Sequence, residues 1–151
     1  MVQLRQIGKE ELSIVQSIAN QTWPSTFANI LSTEQIDYML HWMYDQPQLE
    51  SQVERGHTFL IAEENGTAIG FAGFELFYLE ESKSKLHKLY LLPSYHGKGI
   101  GKALLQEVAR RMREAGQQSL TLNVNKDNQK AIDFYRSQGF VEVYKEVIDI
   151  G

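Results

Sequence analysis

The stretch Leu89–Leu105, LYLLPSYHGKGIGKALL, decides how this chain folds around its main chemical feature. An apolar strand pattern stops at Pro93, glycines follow at alternate positions, and an amphipathic helix pattern comes directly after them. We call residues 93–102 the glycine loop. Glycine allows a positive φ and a close approach of a ligand to the backbone, and a helix N-terminus attracts anions. The stretch therefore predicts a phosphate-binding loop between a strand and a helix, with Lys98 and Lys102 adding positive charge.

The spacing of the glycines excludes the two common nucleotide-binding loops. A Walker A loop ending on Gly101-Lys102 needs glycine at position 96 and serine or threonine at 103, where this chain has His96 and Ala103. A dinucleotide fingerprint fails from either possible start, because position 102 is lysine and position 104 is leucine. The loop therefore predicts an anion site of another kind, and the alternative is a tight turn that serves packing alone.

Length and composition are those of one globular domain. With roughly 100–200 residues per domain, the 151 residues predict a single domain over 1–151. The absence of cysteine excludes disulfide scaffolds, thiolate zinc sites and cysteine nucleophiles. The N-terminus lacks the apolar segment of a signal peptide, and no run approaches about 18 apolar residues, the minimum for a membrane span. We therefore expect a cytoplasmic protein with no membrane partner.

The charge of the chain is unevenly distributed. The formal net charge is −4, which argues against a nucleic-acid partner because such proteins usually show a basic face. Residues 1–82 carry a net −9 and residues 83–151 a net +5. Chance clustering on a solvated surface is one interpretation. The other is that the second part handles an anionic ligand and the first part a cationic one.

Hydrophobic periodicity predicts the element order β α α β β β α β α β, which favours a mixed α/β sheet with helices on its faces. Asn65-Gly66 predicts a hairpin turn between two strands. Pro24 is predicted to end the first helix, which leaves Trp23 and Phe27 in or beside a loop. The predicted strands are Val2–Ile7, Thr58–Glu63, Thr67–Phe77, Lys85–Leu92, Ser119–Val124 and Val141–Ile150. The predicted helices are Glu10–Thr22, one capped by Ser32, one running from Asp45 to Arg55, Gly99–Ala115 and Asn128–Ser137.

Two blocks of the sequence together resemble the GCN5-related N-acetyltransferases. The glycine loop resembles the acetyl-CoA motif of that family, with His96 where the family usually has glutamine or arginine. A second block, from Asn128 through Phe134-Tyr135 to Gly139-Phe140, is similar to the family's N-x-x-A-x-x-F-Y-x-x-x-G-F pattern. The resemblance implies a mostly antiparallel sheet in which two parallel strands splay apart, and acetyl-CoA as donor.

The resemblance also implies which residues would hold the cofactor. The backbone near Leu89–Leu91 would pair with the pantetheine arm, the loop amides would hold the pyrophosphate, and Asn128 would hydrogen-bond the cofactor. The residues expected to bind the cofactor are Leu89, Tyr90, Leu91, His96, Gly97, Lys98, Gly99, Ile100, Gly101, Lys102, Asn128 and Tyr135. No histidine pair has the spacing of a metal site, so we expect no metal.

The same resemblance, with the charge pattern, predicts the chemistry and the acceptor. Tyr135 is expected to protonate the departing thiolate and His87 to accept a proton from the amine, because its ordinary pKa near 6.5 suits a base. We expect Trp23, Phe27 and Glu75 to border the acceptor. The acceptor is expected to be a small cationic amine such as a polyamine, as in the bacterial spermidine/spermine acetyltransferases. Antibiotic and protein N-terminal amines stay open, and so does a non-catalytic acyl-CoA-binding module.

One expectation concerns the end of the chain. The resembled family usually closes with two strands after the Tyr135 helix, whereas this sequence offers only Val141–Ile150. An unfilled gap would leave an exposed sheet edge, which promotes association. The expectation is therefore that the usual last strand is missing and that a second copy in a homodimer, or further residues, covers the edge.

Overall fold

The computed structural model describes residues 2–78 and 82–141, which form one mixed sheet with helices on both faces. The strands are β1 Val2–Ile7, β2 His57–Glu64, β3 Thr67–Glu75, β4 Lys83–Leu91 and β5 Ser119–Leu122. The helices are α1 Leu12–Thr26, α2 Thr33–Tyr44, α3 Gln46–Glu54, α4 Ile100–Glu114 and α5 Gln129–Ser137. This confirms the predicted fold class. The predicted strand Val141–Ile150 lies outside the described residues from position 142 onward.

The strands follow one another across the sheet in chain order, β1-β2-β3-β4-β5. The first three pairings are antiparallel, and β4 pairs with β5 in parallel through the crossover helix α4. Asn65 and Gly66 both have positive φ, 53° and 81°, as expected for the predicted hairpin turn. Alternate side chains of the same strands therefore build two separate cores, one on each face of the sheet.

The two cores divide the helices between them. On one face, α1, α2 and α3 cover a core that includes Phe59, Phe71 and Trp23. On the other face, α4 packs on a core that includes Leu60, Leu86 and Leu104. We call these the helical-layer face and the α4 face. Among the described residues, the helices are all too short or too polar to cross a bilayer.

Helix α1 corrects the prediction about Pro24. The helix continues through Pro24 to Thr26, and Trp23 belongs to it with only 4% of its surface exposed. Proline lacks an N–H and removes one helical hydrogen bond, but here it lies in the last turn, where few bonds depend on it. The buried Trp23 and Phe27 rings, with centroids 4.5 Å apart, fix this end of the helix against the core. Tertiary packing therefore outweighs the local signal.

Helix α2 begins where its sequence predicts. The Ser32 hydroxyl accepts a hydrogen bond from the Gln35 N–H, and the Gln35 side chain accepts one from the Ser32 N–H. This capping box satisfies two backbone donors that would otherwise lack partners at the helix start. It sets the direction in which α2 leaves the loop and returns toward the sheet.

Candidate active site

The site begins where β4 and β5 separate. Their parallel ladder runs from the Lys83–Ser119 pair to the Leu86–Leu122 pair and then stops, while β4 continues to Leu91. A gap therefore opens beside the second half of β4, next to the glycine loop. This is the splayed parallel pair that the sequence resemblance implied.

The hydrogen-bond pattern of β4 shows which backbone groups face this gap. The Leu92 N–H donates to the Ile69 carbonyl, and the register pairs Leu91 with Gly70 and Leu89 with Ala72. Because bonded and non-bonded pairs alternate along an antiparallel ladder, the backbone groups of Leu89 and Leu91 point away from β3 and into the gap. No strand within residues 2–78 and 82–141 pairs with the second half of β4 on this side, so among the described residues it is a free strand edge.

Tyr90 differs from its two neighbours, although the sequence grouped it with them. The same alternation directs its backbone toward β3, where it pairs with Phe71. Its ring lies on the helical-layer face, 5.9 Å from Trp23 and 5.8 Å from Phe71 between centroids. Tyr90 therefore places its ring on the helical-layer face, and its backbone groups bond to β3 instead of facing the gap.

The glycine loop has the open backbone surface that an anion needs. Gly97 and Gly99 both have φ of +79°, and a Cβ added to either would meet no atom within 4 Å. Gly99 is also the N-cap of α4, so the unpaired N–H groups of the first turn lie directly after it. Lys98 and Lys102 are exposed beside these groups. Three features that attract an anion therefore lie together at the start of α4: the helix dipole, the unpaired backbone N–H groups and the charges of the two lysines.

Gly101 has a different reason to be glycine. A Cβ there would lie 3.6 Å from both the Leu91 side chain and the Phe134 ring. Position 101 is thus the point where α4 approaches β4 and α5 closely. This glycine serves helix packing, in contrast to the two in the loop that have open space beside them.

His96 ties the loop to the splayed strand. Its Nε2 lies 3.1 Å from the Leu91 carbonyl oxygen, which can only accept a hydrogen bond, so this nitrogen carries the proton. The bond uses the Leu91 carbonyl, while the Leu91 N–H and both backbone groups of Leu89 still face the gap. A histidine can therefore replace the family's glutamine or arginine as an anchor between β4 and the loop.

These features fit a ligand with an extended amide arm that ends in phosphates. The free edge at Leu89 and Leu91 offers strand-like hydrogen bonds to the arm, and the glycine loop lies at the end of that edge. The cradle beside Gly97 and Gly99 is open in the direction a phosphate would approach.

Helix α5 brings a tyrosine to the other side of the gap. Asn128 caps this helix, since its Oδ1 accepts a hydrogen bond from the Ala131 N–H at 3.2 Å. Burial raises the pKa of Tyr135, so its hydroxyl is protonated at neutral pH. Burial, and then the charge of nearby Tyr135, raise the pKa of Tyr90 as well. The two tyrosines therefore lie near each other, although the Tyr90 ring packs on the helical-layer face.

Three polar side chains meet on the helical-layer face, at the first residue of β2, the last of β3 and the middle of β4. Oε1 of Glu75 lies 2.9 Å from Nε2 of His87 and 3.2 Å from Nε2 of His57. The two imidazole rings stack almost parallel, 9° apart, with centroids 4.2 Å apart. We call these three residues the histidine–glutamate cluster. It combines two predicted residues, Glu75 and His87, with one that the sequence did not single out.

Both imidazoles are neutral at physiological pH. Burial, followed by repulsion from the other histidine and from Lys88, lowers the pKa of His57 to about 4. Burial, followed by the charges of Lys88 and Lys85, lowers the pKa of His87 to about 4. The ordinary pKa near 6.5 expected for His87 is therefore corrected downward, because the fold buries the imidazole beside several cations.

A β-bulge explains why two successive residues of β4 point to the same face. The register changes from Gly73 opposite Lys88 to Phe74 opposite Leu86, which leaves His87 as the extra residue. Lys88 is 4% exposed, and its Nζ donates to Oε1 of Gln52 at 2.6 Å. Burial lowers the pKa of Lys88 to about 7. The bulge thus brings a histidine and a buried lysine side by side.

The predicted acceptor residues occupy two positions on this face. Trp23 and Phe27 lie together beside Tyr90, whereas Glu75 lies at the edge of the sheet in the histidine–glutamate cluster. The indole Nε1 of Trp23 and the hydroxyl of Tyr44 are buried with no hydrogen-bond partner among the described residues. The two rings are neighbours, with centroids 5.9 Å apart, so both polar atoms lie in the interior of the core rather than at its surface.

Sequence reasoning missed His57 because its partners are far away along the chain. One signal did exist, since the Asn65-Gly66 turn places the start of β2 near the end of β3. A regular hairpin from that turn would pair His57 with Phe74, but a bulge at Ala62/Glu63 shifts its partner to Glu75. The spacing test for metal sites missed the cluster too, although one ligand atom from each residue lies within 4.8 Å of the others.

Comparison with known proteins agrees with this geometry. The sequence profile of the acetyltransferase (GNAT) family matches residues 15–140 of the chain. Over 144 residues, the chain is 31% identical to a spermidine N(1)-acetyltransferase from Thermoplasma acidophilum, covering 92% of this chain and 88% of the relative.

Solved structures give the same result. The structure resembles the crystal structure of the PaiA N-acetyltransferase from Thermoplasma acidophilum in complex with coenzyme A, with a TM-score of 0.86, 30% identity and coverage of 93% and 90% of the two chains. An aminoglycoside N-acetyltransferase in complex with CoA gives a TM-score of 0.74 at 19% identity, covering 99% of this chain and 93% of the other. At that identity, the second likeness concerns the fold alone.

Proposed function

This chain belongs to the acetyltransferase (GNAT) family and is an acetyl-CoA-dependent N-acetyltransferase, and from that premise we propose that it acetylates a primary amine of a small polycation such as a polyamine. The observation that carries the acceptor class is the 31% identical spermidine N(1)-acetyltransferase, which spans nearly the whole chain. The net charge of −9 on residues 1–82 supports the same class, because an acidic surface attracts polycations.

We assign the binding of the donor to the free edge of β4 and the glycine loop. Acetyl-CoA supplies the acetyl thioester. The backbone groups of Leu89 and Leu91 would pair with the pantetheine arm, and the N–H groups from Gly97 to Lys102 would hold the pyrophosphate. Asn128 keeps an amide N–H₂ for the cofactor, because its bond within α5 uses only Oδ1.

Tyr135 is the proposed acid. Burial raises the pKa of its hydroxyl, so Oη is protonated at neutral pH and can donate to the departing sulfur. A thiolate expelled into the same buried surroundings is destabilised as an anion too, so one proton from Oη, replaced from solvent, neutralises it. The Tyr135 ring is held by edge contacts with Phe134 and Phe140, with centroids 5.1 and 5.6 Å away, so the hydroxyl has a fixed direction.

His87 is the proposed proton acceptor for the amine. Its Nε2–H donates to Glu75, which leaves the lone pair on Nδ1. The lowered pKa keeps this nitrogen unprotonated at neutral pH. An amine nitrogen becomes far more acidic once it bonds to the acyl carbon, so a weakly basic imidazole can then accept its proton.

The direct test is a thiol-release assay with acetyl-CoA and a panel of polyamines, aminoglycosides and amino acids. We expect the highest kcat/KM with a polyamine and acetylation of a primary amino group by mass spectrometry. Preference for an aminoglycoside or an amino acid would overturn the acceptor class. Tight CoA binding without turnover of any amine would instead indicate a non-catalytic acyl-CoA-binding module.

A further inference from the structure

Glu75 differs from most of the other paired carboxylates among the described residues in the kind of group it contacts. Most are paired with arginine or lysine: Arg5 binds Glu11 and Glu63, Lys9 binds Glu54, and Arg110 and Arg111 bind Glu107. Asp45 contacts a histidine too, but that histidine, His41, is single and exposed. Within the described residues, Glu75 forms no ion pair with lysine or arginine, and its contacts are two imidazoles.

Two neutral imidazoles orient a carboxylate without cancelling its charge. Because the pKa of each ring is about 4, neither carries a proton charge at neutral pH. Glu75 thus has no charged partner among the described residues at neutral pH, in a position where only 19% of its side chain is exposed. A half-buried charge of this kind attracts a cation more strongly than a solvated surface charge does.

Both imidazoles contact the same oxygen, which leaves the other one available. The contacts of His87 and His57 are made to Oε1, and no described residue donates a hydrogen bond to Oε2. Tyr78 lies edge-on to His87, with ring centroids 5.5 Å apart. The Lys85 ammonium lies over the Tyr78 ring, 4.6 Å from the ring centroid. Lys85 is therefore engaged by an aromatic face and the Tyr78 hydroxyl rather than by Glu75.

The distance from the cluster to the proposed transfer point suits a diamine. His87 precedes Leu89 by two residues, which corresponds to about 7 Å along a strand. An extended chain of four or five carbons separates two amino groups by about 6–8 Å at ordinary bond lengths. An acceptor with one nitrogen at the gap can therefore place its second nitrogen at the cluster.

Resting on the proposed acetyltransferase function, we propose that His57 and His87 orient Glu75 so that Oε2 binds the second, protonated amino group of a diamine or polyamine acceptor. His57 is a positioning residue, since it acts through the carboxylate. Glu75 is the specificity-determining residue, because a monoamine of the same length lacks the cation that it binds.

Geometry favours this role over a metal site. The three ligand atoms are close enough for an ion, but the parallel imidazoles direct their Nε2 atoms side by side rather than toward one point. Metal-bound histidines usually donate their other N–H to an acceptor, whereas the buried Nδ1 of His57 has no partner among the described residues.

The test compares a diamine with a monoamine that has a methyl group in place of the second amino group. The ratio of their kcat/KM values measures recognition of the second nitrogen. Any effect of a substitution on His87 as proton acceptor cancels in this ratio, because it changes the rates with both amines. In Glu75→Gln we expect this ratio to fall at least about tenfold, mainly through the KM of the diamine. Glu54→Gln is the matched control, because it removes a carboxylate that already pairs with Lys9, and it should leave the ratio unchanged.

Variants of His57 separate positioning from simple stability. His57→Leu should lower the ratio, and His57→Gln should restore part of it, because the glutamine amide is polar and can donate a hydrogen bond to Oε1. Calorimetry on the CoA-bound protein should show diamine binding that weakens in Glu75→Gln. An unchanged ratio in a folded Glu75→Gln protein would overturn the proposal, while turnover of other polyamines would leave the proposed function standing. Absence of any amine turnover or binding would refute both.

Calorimetry with Zn²⁺ alone provides the remaining comparison. We expect no binding that depends on His57 and Glu75 together. Tight Zn²⁺ binding that both His57→Leu and Glu75→Gln abolish, with an unchanged diamine ratio, would assign the cluster to a metal instead.

Discussion

The glycine loop and the histidine–glutamate cluster both adjoin β4, but they are built in different ways. The loop presents backbone groups from one continuous stretch, and its few side-chain contributions, such as the bond from His96 to Leu91, are local. The cluster consists of side chains from three strands, brought together by two bulges. Backbone sites can therefore be recognised from a short sequence, whereas side-chain sites depend on strand register.

The largest effect is expected at Tyr135, the proposed acid, which belongs to neither of the two regions. Tyr135→Phe should lower kcat by about 100-fold, the low end for general acid catalysis, and leave CoA affinity unchanged. The ring contacts remain, so only the proton donor is lost. Steady-state kinetics and CoA calorimetry provide the measurement, with Tyr38→Phe as a control because Tyr38 is 55% exposed on α2. Full kcat in Tyr135→Phe, with chemistry rate-limiting, would assign the proton to water or another residue.

The second effect isolates the backbone region. Gly99→Val should weaken CoA binding by at least about tenfold, or 1.4 kcal/mol, because a Cβ would enter the open cradle at a φ of +79°. Gly116 is a matched control, since it has the same φ and equally open surroundings at the other end of α4. Gly116→Val should lower the melting temperature similarly and keep CoA affinity. Equal CoA affinities in the two variants would remove the phosphate site from the loop.

A third prediction concerns the pH dependence of the side-chain region. The pKa values of His57 and His87 are about 4 in the fold and near 6.5 in an unfolded chain, so the unfolded state binds more protons between these values. Stability contributed by the neutral pair is present above pH 6.5 and is lost as the pH falls toward 4.

Thermal unfolding at pH 7.5 and pH 5 tests this linkage. The melting temperature should fall less on acidification in His57→Gln than in the original protein. The difference should be about 2–4 °C for each kcal/mol of unfolding free energy that protonation of His57 removes. His41→Gln is the control, because His41 is exposed on α2. Identical pH dependence in all three proteins would contradict neutral, buried imidazoles.

The smallest effect concerns long-range attraction. The acidic first part of the chain should attract a cationic acceptor, so raising salt from about 0.05 to 0.5 M should raise KM about two- to threefold and change kcat less. Initial rates with a polyamine across this range provide the measurement. A flat response, or preference for an anionic acceptor, would show that the charge asymmetry plays no part in recognition.

Local sequence signals were enough to predict most of the elements and the strand–loop–helix geometry of the glycine loop. The Asn65-Gly66 turn, the Ser32 capping box and the strand–loop–helix stretch around Gly99 all appear as predicted. Each depends on residues within a few positions of one another, so the local sequence determines its conformation. The continuation of α1 through Pro24 is the exception, because burial of Trp23 outweighs a single lost hydrogen bond.

The sequence by itself determined the order of elements, the glycine loop and the family's two motifs, because these arise from nearest-neighbour geometry and from periodic burial. Only the tertiary structure decided that His57 meets Glu75 and His87, that Tyr90 faces away from the gap, and that Lys88 is buried. Each of these outcomes depends on strand register, and a one-residue bulge exchanges the side chain that faces a partner. The positions of such bulges are determined by packing across the whole sheet, so they cannot be predicted from a short segment of the chain.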